Sequence, residues 1–402
     1  MRLKRQRSRP IRIYHAGGPG DVAGTLSHWL AGRDDPSQVA MTSSGQFYDV
    51  CRDLSAAGLI VSSNPRRVNE VAGDIHVVQR PVPFRRGPAI PYHLTQLLQG
   101  LTHTYRALRF GADVAVIVDG TAHWFALALL PLLGVPVIPD FHCVIHSLGR
   151  RPRWSDRVLD RLNRYFFRWG VPVVLVMSEE IGRQITAMCG GRPPPLIPFL
   201  ATYRPGTFAG IAAAPASIPF VVLYAGRIER FKGVFDLLEI ARGFAACGAG
   251  EIVFDLCGNG SDLAALRAAV ATAGLEKTFR CHGHCDRTAM REMLARCHVV
   301  IAPTRTDFAE GFNQVVVEAV LAGRPVITSR VCPSLSAVRA AAVEVEPDDV
   351  PGYARAILSL RDNPDLYAEH RAACEMLQAQ FYDMDQSWAT ALERAVRIAL
   401  ED

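Results

Sequence analysis

No stretch of this sequence is apolar for long enough to cross a bilayer as a helix. Its most hydrophobic run, Trp124 to Pro139, is broken by Pro131, Gly134 and Pro136 and reads as a helix, a turn and a buried strand. A secretory leader is also missing from the expected place, because the basic start "MRLKRQRSRP" leads into "IRIYHAGGPG" without an apolar core or a small-residue cleavage site. The ten cysteines follow no regular spacing, which points to reduced thiols in a cytoplasmic protein. Only "CHGHC", Cys281 to Cys285, resembles a metal cluster, and its possible ligands are too crowded for one tetrahedral site, so strand-end packing is expected there. No cluster of carboxylates suits a divalent ion, so no metal and no other cofactor is expected. Nor does any nucleic-acid recognition module accompany the positive charge.

What is present is a globular composition of 402 residues, 49% hydrophobic and 21% charged, long enough for two or three domains. The net charge of +5 is unevenly divided: residues 1–205 carry about +11 and the remainder about −6, which suggests different partners for the two halves. Between them, Gly206 to Pro219 is small and proline-bearing and reads as a linker. Beyond it, β-rich runs ("FVVLYAG", "EIVFDLCG", "HVVIAPT", "RPVITS", "AAVEVEP") alternate with helix-period stretches, the pattern of a parallel α/β sheet. The first half repeats this less cleanly, with strand candidates "IRIYHAG", "QVAMTS", "DVAVIVDG", "VPVIPDF" and "VPVVLVMS" and a clear helix in "YHLTQLLQGLTHTYRALRFG". The expected architecture is therefore two doubly wound domains, 1–205 and 220–380, facing across a cleft, with 381–402 forming a helix that packs back on the first.

Three glycine turns follow strands. In "HAGGPGDVAGT", Gly17, Gly18 and Gly20 line a turn that matches a dinucleotide fingerprint, but "QVAMTSSG" ends without the acidic residue a ribose needs, so a cleft-lining loop or an ordinary tight turn is the better reading. In "YAGRIERFKGV", Gly226 ends a strand and Arg227 and Lys232 follow beside a helix start, which suits a pyrophosphate. "CGNGSDL" places Gly258 and Asn259 in a similar turn. The stretch "AEGFNQVVVEAVLAGRPVITS" then carries two glutamates into an apolar segment, and a carboxylate is rarely buried without a partner. Glu310 falls on a loop before a helix from about Asn313 to Ala322, beside the free amides of Gly311, Phe312 and Asn313; Glu318 lies on the helix face shared with Gln314. A capping acid and half of an internal ion pair would explain them equally well by spacing alone.

In combination and in this order, the cationic glycine turn, the "GNG" turn and the Glu310–Glu318 pair with "EAVLAGRPVI" closely resemble the donor domain of the family 4 retaining glycosyltransferases of the GT-B fold. The resemblance implies that Arg227 and Lys232 hold a nucleotide-sugar diphosphate. It further implies that Glu310 and residues Gly311 to Asn313 bind the transferred sugar and that Glu318 grips the ribose. "VPVIPDFHC" looks like the family strand that ends in a histidine at the reaction centre, which assigns a catalytic role to His142 beside Glu310. Departures from the family pattern, such as Asn313 in place of a small residue and Cys143 after the histidine, bear on the choice of donor. A nucleotide-sugar epimerase of the same fold, or a catalytically silent binding protein, is the alternative.

On the acceptor side, "RWSDRVLDRLNRYFFRWG" puts Arg157, Arg161, Arg164 and Arg168 on one helical face and Trp154, Val158, Leu162, Tyr165 and Trp169 on its neighbour. With the basic N-terminal arm, such a helix can rest on the anionic inner leaflet, where a lipid-linked saccharide acceptor is found. A core-facing helix with a solvated arginine stripe fits the same pattern.

Overall fold

The computed structural model describes residues 9–82, 89–149, 154–214, 219–248 and 251–401. The chain forms two compact units, one of Met1–His142, Pro152–Thr202 and Asp383–Asp402, the other of Cys143–Arg151 and Tyr203–Tyr382. Unit 1 contains β1 (Arg12–Ala16), β2 (Ala57–Ser62), β3 (Val68–Ala72), β4 (Ile75–Gln79), β5 (Val114–Val118), β6 (Val137–Phe141), β7 (Val174–Val176) and β8 (Leu196–Pro198) in one sheet, ordered β3-β4-β2-β1-β5-β6-β7-β8. All its pairings are parallel except β3 with β4. The helices of this part are α1 (Val22–Leu30), α2 (Ser43–Asp53), α3 (Ala89–Phe110), α4 (Leu129–Leu132), α5 (Trp154–Trp169) and α6 (Glu179–Met188).

Unit 2 contains β9 (Phe220–Ala225), β10 (Ile252–Cys257), β11 (Phe279–Gly283), β12 (Val299–Ala302), β13 (Val326–Thr328) and β14 (Ala342–Glu344), all parallel, in the order β11-β10-β9-β12-β13-β14. Its helices are α7 (Val234–Ala246), α8 (Leu263–Thr272), α9 (Arg287–Arg296), α10 (Gln314–Leu321), α11 (Leu335–Val338), α12 (Val350–Asp362) and α13 (Pro364–Tyr382). The chain then returns to unit 1 as α14 (Trp388–Glu401), whose Trp388 is buried and donates from Nε1 to Asp140 Oδ2 at 2.9 Å. Strands β6, β10, β12 and β13 are buried at every position, which explains their largely apolar runs, broken by Asp140 in β6 and Asp255 in β10. In each unit the strand order reverses at the first strand, between β1 and β5 and between β9 and β12. Open sheets of this kind bind ligands outside the carboxyl ends of the strands at that reversal.

Several expectations need correction. "QVAMTS", Gln38 to Ser43, is not a strand: Thr42 accepts the Gly45 amide through Oγ1 and caps α2, and the Met41 amide donates to Thr202. The neighbour of β1 is instead β2, which the sequence reading passed over together with the β3–β4 hairpin. The boundary at 205 also moves, because the chain changes unit at Thr202–Tyr203 and the segment Cys143–Arg151 belongs to unit 2. The proposed linker, Gly206 to Pro219, is part of unit 2. Arg291 donates to the carbonyls of Thr207 and Ala209, and buried Arg324 to that of Ala212, so arginines satisfy a backbone that has no regular structure of its own. Residues 215–218 of that segment lie outside the described residues, as do the N-terminal arm to Ser8 and Arg153.

Helix α5 turns Asn163, Phe166 and Phe167 inward, so the stripe of Trp154, Val158, Leu162, Tyr165 and Trp169 is exposed and not a core face. Arg157, Arg161 and Arg168 are exposed beside it, whereas Arg164 is half-buried and donates to the Met188 carbonyl. Helix α3 likewise exposes Ile90, Leu94, Leu98, Leu101, Tyr105 and Leu108. Both helices pack against the short helical segment Trp124–Leu127, and α3 also meets α4, whose Leu129 and Leu132 are exposed.

Candidate functional site

In unit 2 the first turn of the site is set by backbone proximity. At Gly258, after β10, the φ of 143° and a Cβ position only 1.8 Å from the Gly226 carbonyl oxygen leave no room for a side chain. Gly233, with φ of 77°, would place a Cβ 2.2 Å from the Pro303 carbonyl oxygen. The ends of β9, β10 and β12 therefore approach closely only because these positions are glycine. Arg305 reinforces the arrangement, its amide donating to Phe231 and its guanidinium forming two 2.9 Å bonds to Asp236.

Arg227 and Lys232 emerge from this turn toward a common ring. The Arg227 guanidinium lies 5.4 Å and the Lys232 ammonium 4.8 Å from the centre of Phe308, which stacks on Phe231 at 4.3 Å. Both Lys232 and Glu310 are almost fully buried, and they form an ion pair between Nζ and Oε2. Glu310 Oε2 also accepts from Thr304 Oγ1 at 2.8 Å, while Oε1 accepts from the Gly311 amide at 3.2 Å. Glu310 is therefore the partner of a lysine seventy-eight residues upstream rather than a simple capping acid. An ammonium has three donors and a carboxylate several acceptor positions, so each group keeps capacity for a ligand after pairing. Arg227 is more open and pairs with Glu229 at 3.1 Å.

The loop Gly311 to Asn313 precedes α10, with Asn313 at the cap position but without a side-chain cap bond. Gly311 pairs with Cys143 in an isolated antiparallel bridge. Asn259 is exposed after β10 and Gly258 donates its amide to Gly283. Glu318 behaves differently from Glu310. It is half-buried, and no side-chain hydrogen bond or ion pair joins it to Arg227, Lys232 or any other described residue. Burial, opposed by Arg287, pushes its carboxyl up to about 7. The ion pair that spacing allowed for Glu318 is absent among the described residues.

In unit 1, His142 follows β6. Its ring Nε2 lies 3.0 Å from Asp140 Oδ2 and its amide donates to Asp119 Oδ1 at 2.8 Å. Burial works against charge on this imidazole, but the Asp140 carboxylate, its hydrogen bond and Asp119 outweigh it and raise the pKa to about 9. At neutral pH His142 is thus a cation that donates, not a base that accepts. Asp140 is fully buried and was invisible as a functional residue in the sequence, as were Asp119, Thr304 and Phe308.

The glycine loop of unit 1 is held by its carbonyls: Ser63 donates to Gly18, Ser62 to Gly20, and the Gly17 amide donates to Val61. Two amides of the first turn of α1 are already used, Ala23 by Gln79 and Gly24 by Asp21, which reduces what the fingerprint offers a dinucleotide. At "CHGHC", Cys281 to Gly283 belong to β11 and His282 binds Asp255 at 2.6 Å; among the described residues no group of three potential ligands could hold a metal ion.

Comparison with known proteins matches residues 214–375 to the glycosyl transferases group 1 and residues 17–199 to the glycosyl transferase 4-like domain. A Mycobacterium tuberculosis glycogen synthase is 27% identical over 276 residues, 66% of this chain and 64% of its own length. A D-inositol 3-phosphate glycosyltransferase of Catenulispora acidiphila is 29% identical over 212 residues, 50% of this chain and 49% of its own. The chain thus spans less than two thirds of these curated relatives. Among solved structures, the sucrose-phosphate synthase of Thermosynechococcus elongatus superposes with a TM-score of 0.69 at 15% identity, over 96% of this chain and 98% of that one. Anabaena HepE in complex with UDP gives 0.64 at 14% identity, over 98% and 100%.

Glu318→Gln tests the unpartnered carboxyl. A group raised from 4.5 to about 7 contributes stability below the lower value that is lost as pH rises through the upper one. The neutral isostere is expected to raise the thermal midpoint by a few degrees at about pH 8 and to leave it unchanged at about pH 4. A lower midpoint at the alkaline pH would reveal a partner for the carboxylate.

Proposed function

Because the chain belongs to the group 1, family 4-like glycosyltransferases of the GT-B fold, we propose that it is a retaining enzyme that transfers a sugar from a nucleotide diphosphate to a saccharide acceptor. The observation that carries this reading is the convergence of Arg227 and Lys232 on Phe308, with Glu310 paired to Lys232, at the strand-order reversal of unit 2. UDP bound to HepE, and to the TarM glycosyltransferase of S. aureus, supports a nucleotide diphosphate as the donor.

In this reading Arg227 and the spare donors of Lys232 neutralise the charge that develops on the leaving diphosphate. Glu310 and the amides of Gly311, Phe312 and Asn313 hold the sugar hydroxyls, Gly226, Gly258 and Asn259 leave the diphosphate room, and Glu318 accepts from the ribose. The bond from the anomeric carbon to the phosphate oxygen breaks, the acceptor hydroxyl forms the new bond on the same face, and its proton passes to the departing phosphate. His142, cationic at neutral pH, donates to a substrate oxygen and does not take a proton. The fixed cations do the work a divalent ion would do, so the transfer is metal-independent.

Unit 1 binds the acceptor and, through α3, α4 and α5, an anionic lipid surface on the cytoplasmic face of the membrane. Exposed Trp154 and Trp169 beside Arg157, Arg161 and Arg168 have the amphipathic character such a surface recognises, and α3 exposes leucines of its own. No helix among the described residues is long and apolar enough to cross a membrane. An acceptor carried on a lipid fits this placement.

A thermal-shift panel of UDP-, GDP- and ADP-sugars is expected to give one stabilising donor, with the shift lost in Glu310→Ala and Arg227→Ala and unchanged by EDTA. Without an acceptor the donor should be recovered unepimerised; conversion of the sugar, or shifts that persist in both variants, would contradict the assignment.

Co-sedimentation should take the protein down with phosphatidylglycerol vesicles and not with phosphatidylcholine ones, and the Trp154→Ser, Trp169→Ser double variant should stay in solution. Equal sedimentation of both proteins would remove the lipid surface.

A further inference from the structure

Asp140 is a fully buried carboxylate within the sheet of unit 1, and its two oxygens are unequally served. Oδ2 lies 3.0 Å from the His142 ring and accepts from the Trp388 indole at 2.9 Å, whereas Oδ1 has no hydrogen-bond partner among the described residues. A carboxylate out of water depends on the donors it keeps, and here two side chains on one oxygen supply them. One belongs to the candidate reaction centre. The other arrives from the far end of the chain, on α14.

The indole is held firmly. Trp388 is 2% exposed, and around it the Ala389 amide donates to Gln46 of α2 at 2.9 Å, Ser387 accepts from the Thr390 amide at 3.2 Å, and the Gln386 carbonyl accepts from the Leu200 amide at 2.9 Å. His15 of β1 lies against the indole, with ring centres 5.5 Å apart, and packs on Phe47 at 5.0 Å. Burial lowers the His15 pKa to about 4 against the pull of Asp140, and its Nε2 is also without a partner among the described residues. A neutral His15 brings no second cation to the carboxylate.

The groups that act on the His142 ring are thus Asp140 of its own strand, Asp119 after β5 and neutral His15 of β1, while α14 contributes the indole N–H to the shared oxygen. Phe199 packs against the ring edge-on, with centres 5.3 Å apart. With Nε2 committed to Asp140, Nδ1 is the nitrogen left to meet a substrate.

We propose that Trp388 is a positioning residue for His142: its N–H fixes the Asp140 carboxylate in the orientation that engages Nε2 of the histidine and leaves Nδ1 to donate. The last helix of the chain therefore serves the reaction centre of unit 1, although it follows all of unit 2 in sequence. Its part in catalysis rests on the transferase reading; the coupling of the three side chains does not, and it is measured without substrate.

The test is a pH titration of the full chain carrying nitrogen-15 in its histidine and tryptophan rings, followed by NMR, with His142→Gln identifying the His142 signals. In the parent, His142 titrates with a midpoint of about 9, and one indole N–H signal is expected to move with that midpoint because both groups share one oxygen. Trp388→Phe keeps a ring against His15 and removes the N–H. The carboxylate then no longer divides its charge, and the His142 midpoint should rise by about half a pH unit. Asp140→Asn should bring the midpoint down toward the ordinary histidine range, and in that background Trp388→Phe should add no shift. An unchanged or lower midpoint in Trp388→Phe, or the same shift in both backgrounds, means that the indole merely fills space and overturns the proposal. If Trp388→Phe fails to fold, the parent spectra decide, since the absence of any indole signal that follows His142 also overturns it. Coupling found in a chain that no nucleotide-sugar stabilises would uphold the positioning and contradict the transferase reading.

Discussion

Lys232 and Glu310 are both nearly out of water, where a charged side chain without a partner is costly. Their pairing lets the carboxyl ends of β9 and β12 carry charge inside a close-packed turn. Around the pair, Gly258 and Gly233 permit the strands to close up, Thr304 supplies a further donor, and Phe308 gives both cations an aromatic face. The pair is neutral as a unit, so the positive charge left facing a ligand is mainly that of Arg227. Under the proposed donor reading, a diphosphate would add to an existing set of hydrogen bonds, which is the preorganisation that makes fixed charges effective in catalysis.

Unit 1 solves a different problem with similar topology. Its strand order reverses at the same relative position, yet the glycine loop there has spent its carbonyls on Ser62 and Ser63 and the first amides of α1 on protein acceptors. What remains open is the space between that loop and α3, lined by arginines in place of a helix start. The excess of positive charge in the first half of the chain is thus partly local, with arginines at a cavity and along α5.

The sequence was most informative where local pattern decides structure. The buried strands of unit 2 read as largely apolar runs, and the turn after β9 announced itself through glycine and two cations. It was least informative where a distant residue decides. "QVAMTS" has strand composition, but Thr42 is committed to a helix cap, and nothing local says so. The segment Gly206 to Pro219 looked like a tether because the arginines that pin it, Arg291 and Arg324, come far later in the chain. Asp140 was passed over because a carboxylate inside an apolar strand gains meaning only beside His142 and Trp388. Glu310 and Glu318 looked alike by spacing, and only three-dimensional neighbours separate a paired glutamate from one held near neutrality.

Hydrogen–deuterium exchange with and without a nucleotide-diphosphate sugar tests the central claim most directly. The account predicts that exchange slows in the turns at 226–234 and 258–262 and in the stretch 308–318, with no protection at the glycine loop 17–20. Protection at that loop without any change in unit 2, or no change anywhere under saturating ligand, would contradict it.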